Sequence, residues 1–150
     1  MKAEFTDLIQ KIVAQAKKNG DDAQVQNQRL NDFEARNIDD PAQAKNIASA
    51  DLLFLKKEIA RNDVSIGTVQ SVKDNLLEEC LALEAERKKK EANGDALIDP
   101  DHINALQRNF KTLETQSLLE IPRIKKNIDQ LEAYTIKSLK NKLNDDNKKS

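Results

Sequence analysis

Residues 56–73, KKEIARNDVSIGTVQSVK, carry the polar side chains whose types and spacing best suit contact with nucleic acid. Lysine and hydroxyl side chains bind phosphate and position a protein on a duplex, whereas glutamine, serine and lysine side chains can reach base edges. Phosphate contacts are predicted for Lys56, Lys57, Ser65 and Thr68, and base contacts for Gln70, Ser71 and Lys73. These seven residues are the candidate DNA-binding residues.

A helix-turn-helix would present these side chains to the major groove, with its second helix capped by Ser65 and anchored by Val69. The stretch between Ala60 and Val64 is one residue shorter than that motif normally has. Ile66 and Gly67 also occupy positions from which polar side chains normally reach the bases. Two interpretations therefore stay open: a DNA-reading motif, and an ordinary junction in which one helix ends and the next begins.

Other site chemistry finds little support in the sequence. His102 is the only histidine, so a histidine-based metal site or a Ser-His-Asp triad within one chain is not expected. Cys80 falls in an apolar stripe and is predicted to be a small core residue. The three glycines stand apart, so no phosphate-binding loop is formed. We therefore predict no catalytic residues, no cofactor and no metal, and a non-enzymatic protein.

Composition favours long helices with narrow apolar stripes. Hydrophobic residues make up 38% of the chain, charged residues 34% and aromatic residues 3%, with only three glycines and three prolines. The net charge of −1 gives no strong field toward nucleic acid or anionic lipid. No apolar run approaches the roughly 18 residues of a membrane span, and acidic residues interrupt any leader peptide. We expect a cytoplasmic protein that engages neither a membrane nor a small-molecule substrate.

Breaker and capping residues predict where the helices begin and end. Asn-Gly suits a helix end, Asp-Pro suits a helix start, and Pro122 is expected to kink or break its helix near Leu118. Residues 65–92 are predicted as one long helix, and residues 144–150 as a disordered tail. The predicted boundaries are Asn19-Gly20, Asp40-Pro41, Asn62-Asp63, Asn93-Gly94 and Asp99-Pro100.

The predicted fold class is all-α: an elongated helical bundle or coiled-coil hairpin, with a helix-turn-helix-like junction as an option. Residues 1–62 would form N-terminal helices, and residues 63–143 a long hairpin, about 65–92 against 100–121, with a proline-kinked last helix. Apolar stripes on the hairpin predict a homo-oligomer. The candidate oligomer-interface residues are Val69, Val72, Leu76, Leu83, Ile103, Leu106, Phe110 and Leu113.

Two segments resemble the small terminase subunits of phages. Residues 56–72 are similar to the lysine-rich helix and Ser-x-x-Thr-(Ile/Val)-Gln sequence of that family. Residues 86–128 resemble its later part: a charged helix, a glycine followed by a Leu-(Val/Ile)-Asp turn, and a long helix ending in Leu-Leu-x-(Ile/Leu)-Pro. Residues 1–55 have no counterpart there, and the family's winged segment is missing.

The resemblance implies a DNA-packaging adaptor that forms a ring or a dimer, binds viral duplex DNA and engages a separate large motor subunit. It implies no cofactor. The alternative is a coiled-coil assembly, a scaffold or a chaperone-like protein that binds only other proteins.

Overall fold

The computed structural model describes residues 2–92, 94 and 100–149, with the side chains of residues 5–92, 94 and 100–139. The fold is all-α, as the sequence predicts, and the described residues contain no β-strand. The described residues form five α-helices and one turn of π-helix. They are α1 (Lys2–Asn37), α2 (Pro41–Ala44), α3 (Ser49–Ala92), α4 (Pro100–Thr115), the π turn (Gln116–Glu120) and α5 (Ile121–Lys149).

Helix α1 runs through Asn19-Gly20, where the sequence predicted an end. Asn19 is fully buried, and its side-chain amide donates a 2.9 Å hydrogen bond to the carbonyl oxygen of Leu113 on α4. The side chain of Lys73 lies over Gly20, with its Cδ 3.3 Å from the position that a Cβ would take. Because these contacts with other helices hold the segment in place, the local preference of Asn-Gly for a helix end is overridden.

Helix α3 is continuous across Asn62-Asp63, so the predicted junction is wrong and the described chain has no turn there. Its buried positions alternate between intervals of four and three residues, as in a coiled coil. Asn62 takes one of them and donates a 2.9 Å hydrogen bond to the carbonyl oxygen of Glu58 one turn earlier. The buried positions of α3 from residue 55 onward are Leu55, Ile59, Asn62, Ile66, Val69, Leu76 and Cys80.

The two Asp-Pro signals do mark helix starts. Asp40 caps α2, where its carboxylate accepts a 3.0 Å hydrogen bond from the backbone N–H of Ala42, and Pro41 is the first helical residue. Helix α2 has only four residues, however, and the long helix that follows it, α3, begins at Ser49. Helix α4 begins at Pro100, as predicted. Gly94 takes a φ of 84°, which suits glycine beyond a helix end, while residues 93 and 95–99 lie outside the described part of the chain.

Pro122 changes the helix without ending it. Proline lacks the N–H that would bond the carbonyl four residues back, and its ring crowds that carbonyl. The chain responds with the π turn, in which the backbone N–H of Ile121 bonds the carbonyl oxygen of Gln116, five residues away. The predicted disturbance near Leu118 is therefore present as a wider turn. Residues 144–149, predicted as a disordered tail, continue α5.

The chain divides into two compact units that do not follow the predicted boundary at residue 62. The first unit contains Met1–Ala23 and Thr68–Ile121, and the second contains Gln24–Gly67 and Pro122–Ser150. Both α1 and α3 contribute residues to each unit. A domain division by consecutive segments cannot describe this arrangement, because each unit is assembled from helices that are distant in sequence.

The core of the first unit combines α1, α3 and α4. The predicted hairpin partners meet in it, and α1 adds a third apolar face. The buried core residues are Phe5, Ile9, Ile12, Ala16, Leu76, Cys80, Leu106 and Leu113, with Leu8, Val72, Leu77, Leu83, Ile103 and Phe110 packed against them. Seven of the eight candidate oligomer-interface residues are thus in or against the core of their own chain. The eighth, Val69, is also buried.

Polar contacts hold α5 in the second unit. Arg29 of α1 makes ion pairs with Asp129 at 2.7 Å and with Glu132 at 3.1 Å. In the first turn of α3, the Asp51 carboxylate accepts hydrogen bonds of 2.5 Å from the hydroxyls of Tyr134 and Ser138. Two neighbouring helices are therefore linked to α5 by charged or charge-assisted contacts, which fix the N-terminal half of α3 against it.

Candidate interaction surface

The seven candidate DNA-binding residues do not form one surface on the continuous helix α3. At 3.6 residues per turn, their spacing distributes them around the helix. Lys56, Lys57, Thr68 and Ser71 are exposed, whereas Ser65, Gln70 and Lys73 are half-buried. Ile66, which stands at a base-reading position of the hypothetical motif, is only 1% exposed. The geometry that a recognition helix would need is therefore absent from α3.

Ser65 and Lys73 illustrate how these side chains are already engaged within the chain. The Ser65 hydroxyl donates to the carbonyl oxygen of Arg61 at 3.2 Å and accepts a 3.4 Å hydrogen bond from the guanidinium of Arg123. The Lys73 ammonium lies 2.8 Å from the carboxylate of Asp74. Both side chains serve contacts inside the molecule, which the sequence pattern alone did not reveal.

A different surface lies on the side of α3 that faces away from its buried positions. Six residues at intervals of three and four form this outer stripe, which lies entirely in the second unit. Leu53 is 56% exposed and Val64 is 70% exposed. Gly67 has no atom within 4 Å of the position that a Cβ would take, so that end of the stripe is open. The outer stripe comprises Ala50, Leu53, Lys57, Ala60, Val64 and Gly67.

Charged and aromatic side chains flank the outer stripe. Lys56 and Asp63 are exposed along one edge, and neither makes an ion pair with another residue that the structure describes. Phe54 and Arg61 are exposed along the other edge. The ring of Phe54 stacks on Tyr134 with centroids 4.8 Å apart, yet it stays 42% exposed. An apolar centre with polar edges is the usual organisation of a surface that takes another helix.

The sequence contains a signal for this surface, but a helix-turn-helix interpretation of residues 56–72 conceals it. The residues of the outer stripe repeat every three or four positions across Asn62-Asp63 without interruption. A break assigned at that point divides the pattern into two short pieces, neither of which is long enough to be noticed. Once α3 is one helix, the buried positions and the outer stripe become two parallel patterns on opposite sides of it.

The reactive residue types are placed as structural residues. Burial raises the pKa of the Cys80 thiol above its ordinary value, and the carboxylates of Glu79 and Glu84 act in the same direction. His102 is half-buried near the start of α4. Among the residues that the structure describes, no three His, Cys, Asp or Glu side chains are grouped as metal ligands would be. None of the described helices combines the length and apolar character needed to cross a membrane.

No protein-family model, no curated protein sequence and no solved structure matches this chain.

Proposed function

We propose that this protein is a non-enzymatic helical scaffold subunit that works by binding other proteins, including copies of itself, through the outer stripe of α3. The observation that carries the proposal is the exposure of Leu53 and Val64, which are 56% and 70% exposed on one face of a continuous helix. Burying such a face against another helix would remove apolar surface from water.

Measurement of the native mass over a range of protein concentrations tests this proposal. Wild-type protein is expected to associate, and Leu53→Glu or Val64→Glu is expected to shift the population toward monomer, because each places a charge in the apolar stripe. Ile136→Glu is the matched control, since Ile136 is 68% exposed on α5 and lies outside the stripe. A wild-type protein that is monomeric at every concentration would contradict self-assembly.

A second candidate function is a DNA-packaging adaptor that resembles the phage small terminase subunits and hands duplex DNA to a motor subunit. Its support is the exposed basic cluster of Lys56, Lys57 and Arg61, which occupies adjacent turns of α3. Without a turn at Asn62-Asp63, these side chains would contact phosphates and not base edges. We therefore expect any duplex binding through this cluster to be independent of DNA sequence.

Duplex titration at several salt concentrations tests the second candidate. Binding through the basic cluster predicts that log affinity falls linearly with log salt concentration, and that the slope becomes shallower by about two in the Lys56→Ala/Lys57→Ala variant. Lys125→Ala/Lys126→Ala, two exposed lysines of α5, is the matched control. Absence of binding at low salt would remove this candidate and leave the scaffold proposal untouched.

A further inference from the structure

We infer that the outer stripe of α3 binds the same stripe of a second copy, with the two helices antiparallel and related by a two-fold axis between Glu58 and Ile59. The inference rests on the proposed function and specifies its partner. In an isologous contact each residue i faces residue j of the partner, and j faces i. The stripe, its two edges and its open end all fit this single arrangement.

The contact in this arrangement is mainly apolar, with Lys57 as its one charged residue. With the axis between Glu58 and Ile59, Leu53 faces the partner's Val64, and the symmetric contact is made a second time. At both ends of the contact, Ala50 faces the partner's Gly67. No atom of the described chain lies within 4 Å of the position that a Cβ would take at Gly67, so a second helix can approach closely there. The contact spans 18 residues of α3, or about 27 Å of helix.

One edge of the contact brings opposite charges together. Antiparallel helices align the corresponding edge positions of the two chains, so Lys56 lies beside the partner's Asp63, and Asp63 beside the partner's Lys56. Both side chains are exposed, and neither is engaged in an ion pair with the residues described in its own chain. The face is thus complementary in charge to itself, which identifies a second copy as its partner.

The other edge places a cation over an aromatic ring. The same alignment brings Arg61 to the partner's Phe54. The guanidinium side chain of Arg61 is 72% exposed, and its contact with Glu58 is a long one of 3.4 Å. Phe54 is held against Tyr134 and leaves part of its ring exposed. An arginine on a partly exposed ring is a favourable pair, so both edges support the antiparallel contact.

A parallel arrangement of the same stripes is unfavourable. It would place Lys57 opposite the partner's Lys57 and bring Lys56 close to the partner's Arg61, so that like charges meet at the centre and at one edge. In the antiparallel arrangement Lys57 faces the partner's Ala60, where its methylene stem can pack while its ammonium group reaches water. The charge pattern therefore selects the orientation as well as the partner.

Charge reversal followed by sedimentation equilibrium tests the inference. Lys56→Glu and Asp63→Lys should each weaken dimerisation roughly tenfold, because each variant replaces two attractions with two repulsions. The double variant Lys56→Glu/Asp63→Lys should restore the wild-type dissociation constant within about threefold, since it only exchanges the two charges. Lys126→Glu, on α5, is the control and should leave the constant unchanged.

Disulfide formation gives an independent measure of orientation in a Cys80→Ser background. When Leu53→Cys and Val64→Cys chains are mixed, mild oxidation should yield mainly the mixed 53–64 dimer, whereas a parallel contact would yield 53–53 and 64–64 dimers. Parallel products, or a double charge variant that dissociates like the single ones, would overturn the inference while leaving a self-associating scaffold in place. A monomeric wild-type protein would instead overturn the proposed self-assembly itself.

Discussion

At the scale of single residues, Asp51 joins two helices of the second unit through its carboxylate. Hydrogen bonds from Ser138 and then from Tyr134 hold the pKa of Asp51 below its ordinary value. The same bond to Asp51 raises the pKa of Tyr134. Because the pKa of the folded-state carboxyl is depressed, the stability from these bonds is present above the ordinary aspartate pKa of about 3.9 and is lost as pH falls through the depressed value.

Asp51→Asn should therefore lower the free energy of unfolding at neutral pH and have a smaller effect in acid. Urea denaturation at about pH 7 and about pH 2 measures the difference between the variant and the wild type. We expect this difference to shrink at the lower pH, as protonation of the wild-type carboxyl removes its advantage. Asp39→Asn, at an exposed position, is a suitable control. An equal loss at both pH values would rule out ionisation as the cause.

Cys80 and Leu81 are neighbours in sequence but opposite in exposure. Cys80 is 2% exposed in the core of the first unit, whereas Leu81 is 71% exposed. A buried thiol of raised pKa reacts with a disulfide reagent only when the surrounding helices open. We expect the folded wild-type protein to react at least about a hundredfold more slowly than the urea-unfolded chain. The Cys80→Ser/Leu81→Cys variant should react rapidly without unfolding, and slow reaction there would contradict the assigned exposure.

At the scale of helices, the sequence predicts starts better than interruptions. Asp40-Pro41 and Pro100 were correctly predicted as starts, because proline and a capping aspartate act through local backbone geometry. Asn19 and Asn62 were misassigned because both are polar residues at buried coiled-coil positions, and their amides bond backbone carbonyls inside the fold. If the four-and-three spacing is allowed to include single polar residues, it predicts that α1 continues through Asn19 and α3 through Asn62.

The two glycines inside α1 and α3 give this interpretation a direct test. Gly67→Ala should stabilise the monomeric chain by about 1 kcal/mol, because alanine has a better helix propensity and a Cβ at Gly67 meets only open space. Gly20→Ala should give a smaller gain, because the end of the Lys73 side chain must move slightly to admit the new methyl group. Thermal denaturation at low protein concentration measures both. If Gly20 ended a helix, as the Asn-Gly sequence predicts, Gly20→Ala would destabilise the protein.

At the scale of the whole molecule, the composition predicts the all-α class, but it does not predict what packs against each apolar stripe. The stripes of Leu76 and Leu106 were assigned to an interface between chains, yet they pack against Ile12 of α1 within one chain. Sequence periodicity identifies the apolar face of a helix, but the same spacing serves a neighbour in the same chain or in another copy. The outer stripe of α3 is harder to predict, because it has fewer large apolar residues than the buried stripes.

Lys57 separates the two candidate functions with one substitution. In the antiparallel dimer it is the only charged residue of the outer stripe, so Lys57→Leu should tighten self-association roughly tenfold. If the basic cluster binds duplex DNA, the same variant should weaken that binding and reduce its salt dependence by about one unit of slope. Lys126→Leu is the control for a newly exposed leucine. Self-association that is unchanged or weaker in Lys57→Leu would argue against the central position assigned to Lys57.

The π turn also contains one residue more than the seven-residue repeat of buried positions requires. Leu106 and Leu113 are seven positions apart, as are Ile121 and Ile128, but Leu113 and Ile121 are eight apart. The wider turn takes up that additional residue, so the seven-residue repeat of buried positions resumes after it. Deleting one residue from Gln116–Glu120, together with Pro122→Ala, should leave an ordinary α-helix with an unbroken seven-residue repeat. One deletion within α5 would instead rotate every later side chain of that helix away from its place.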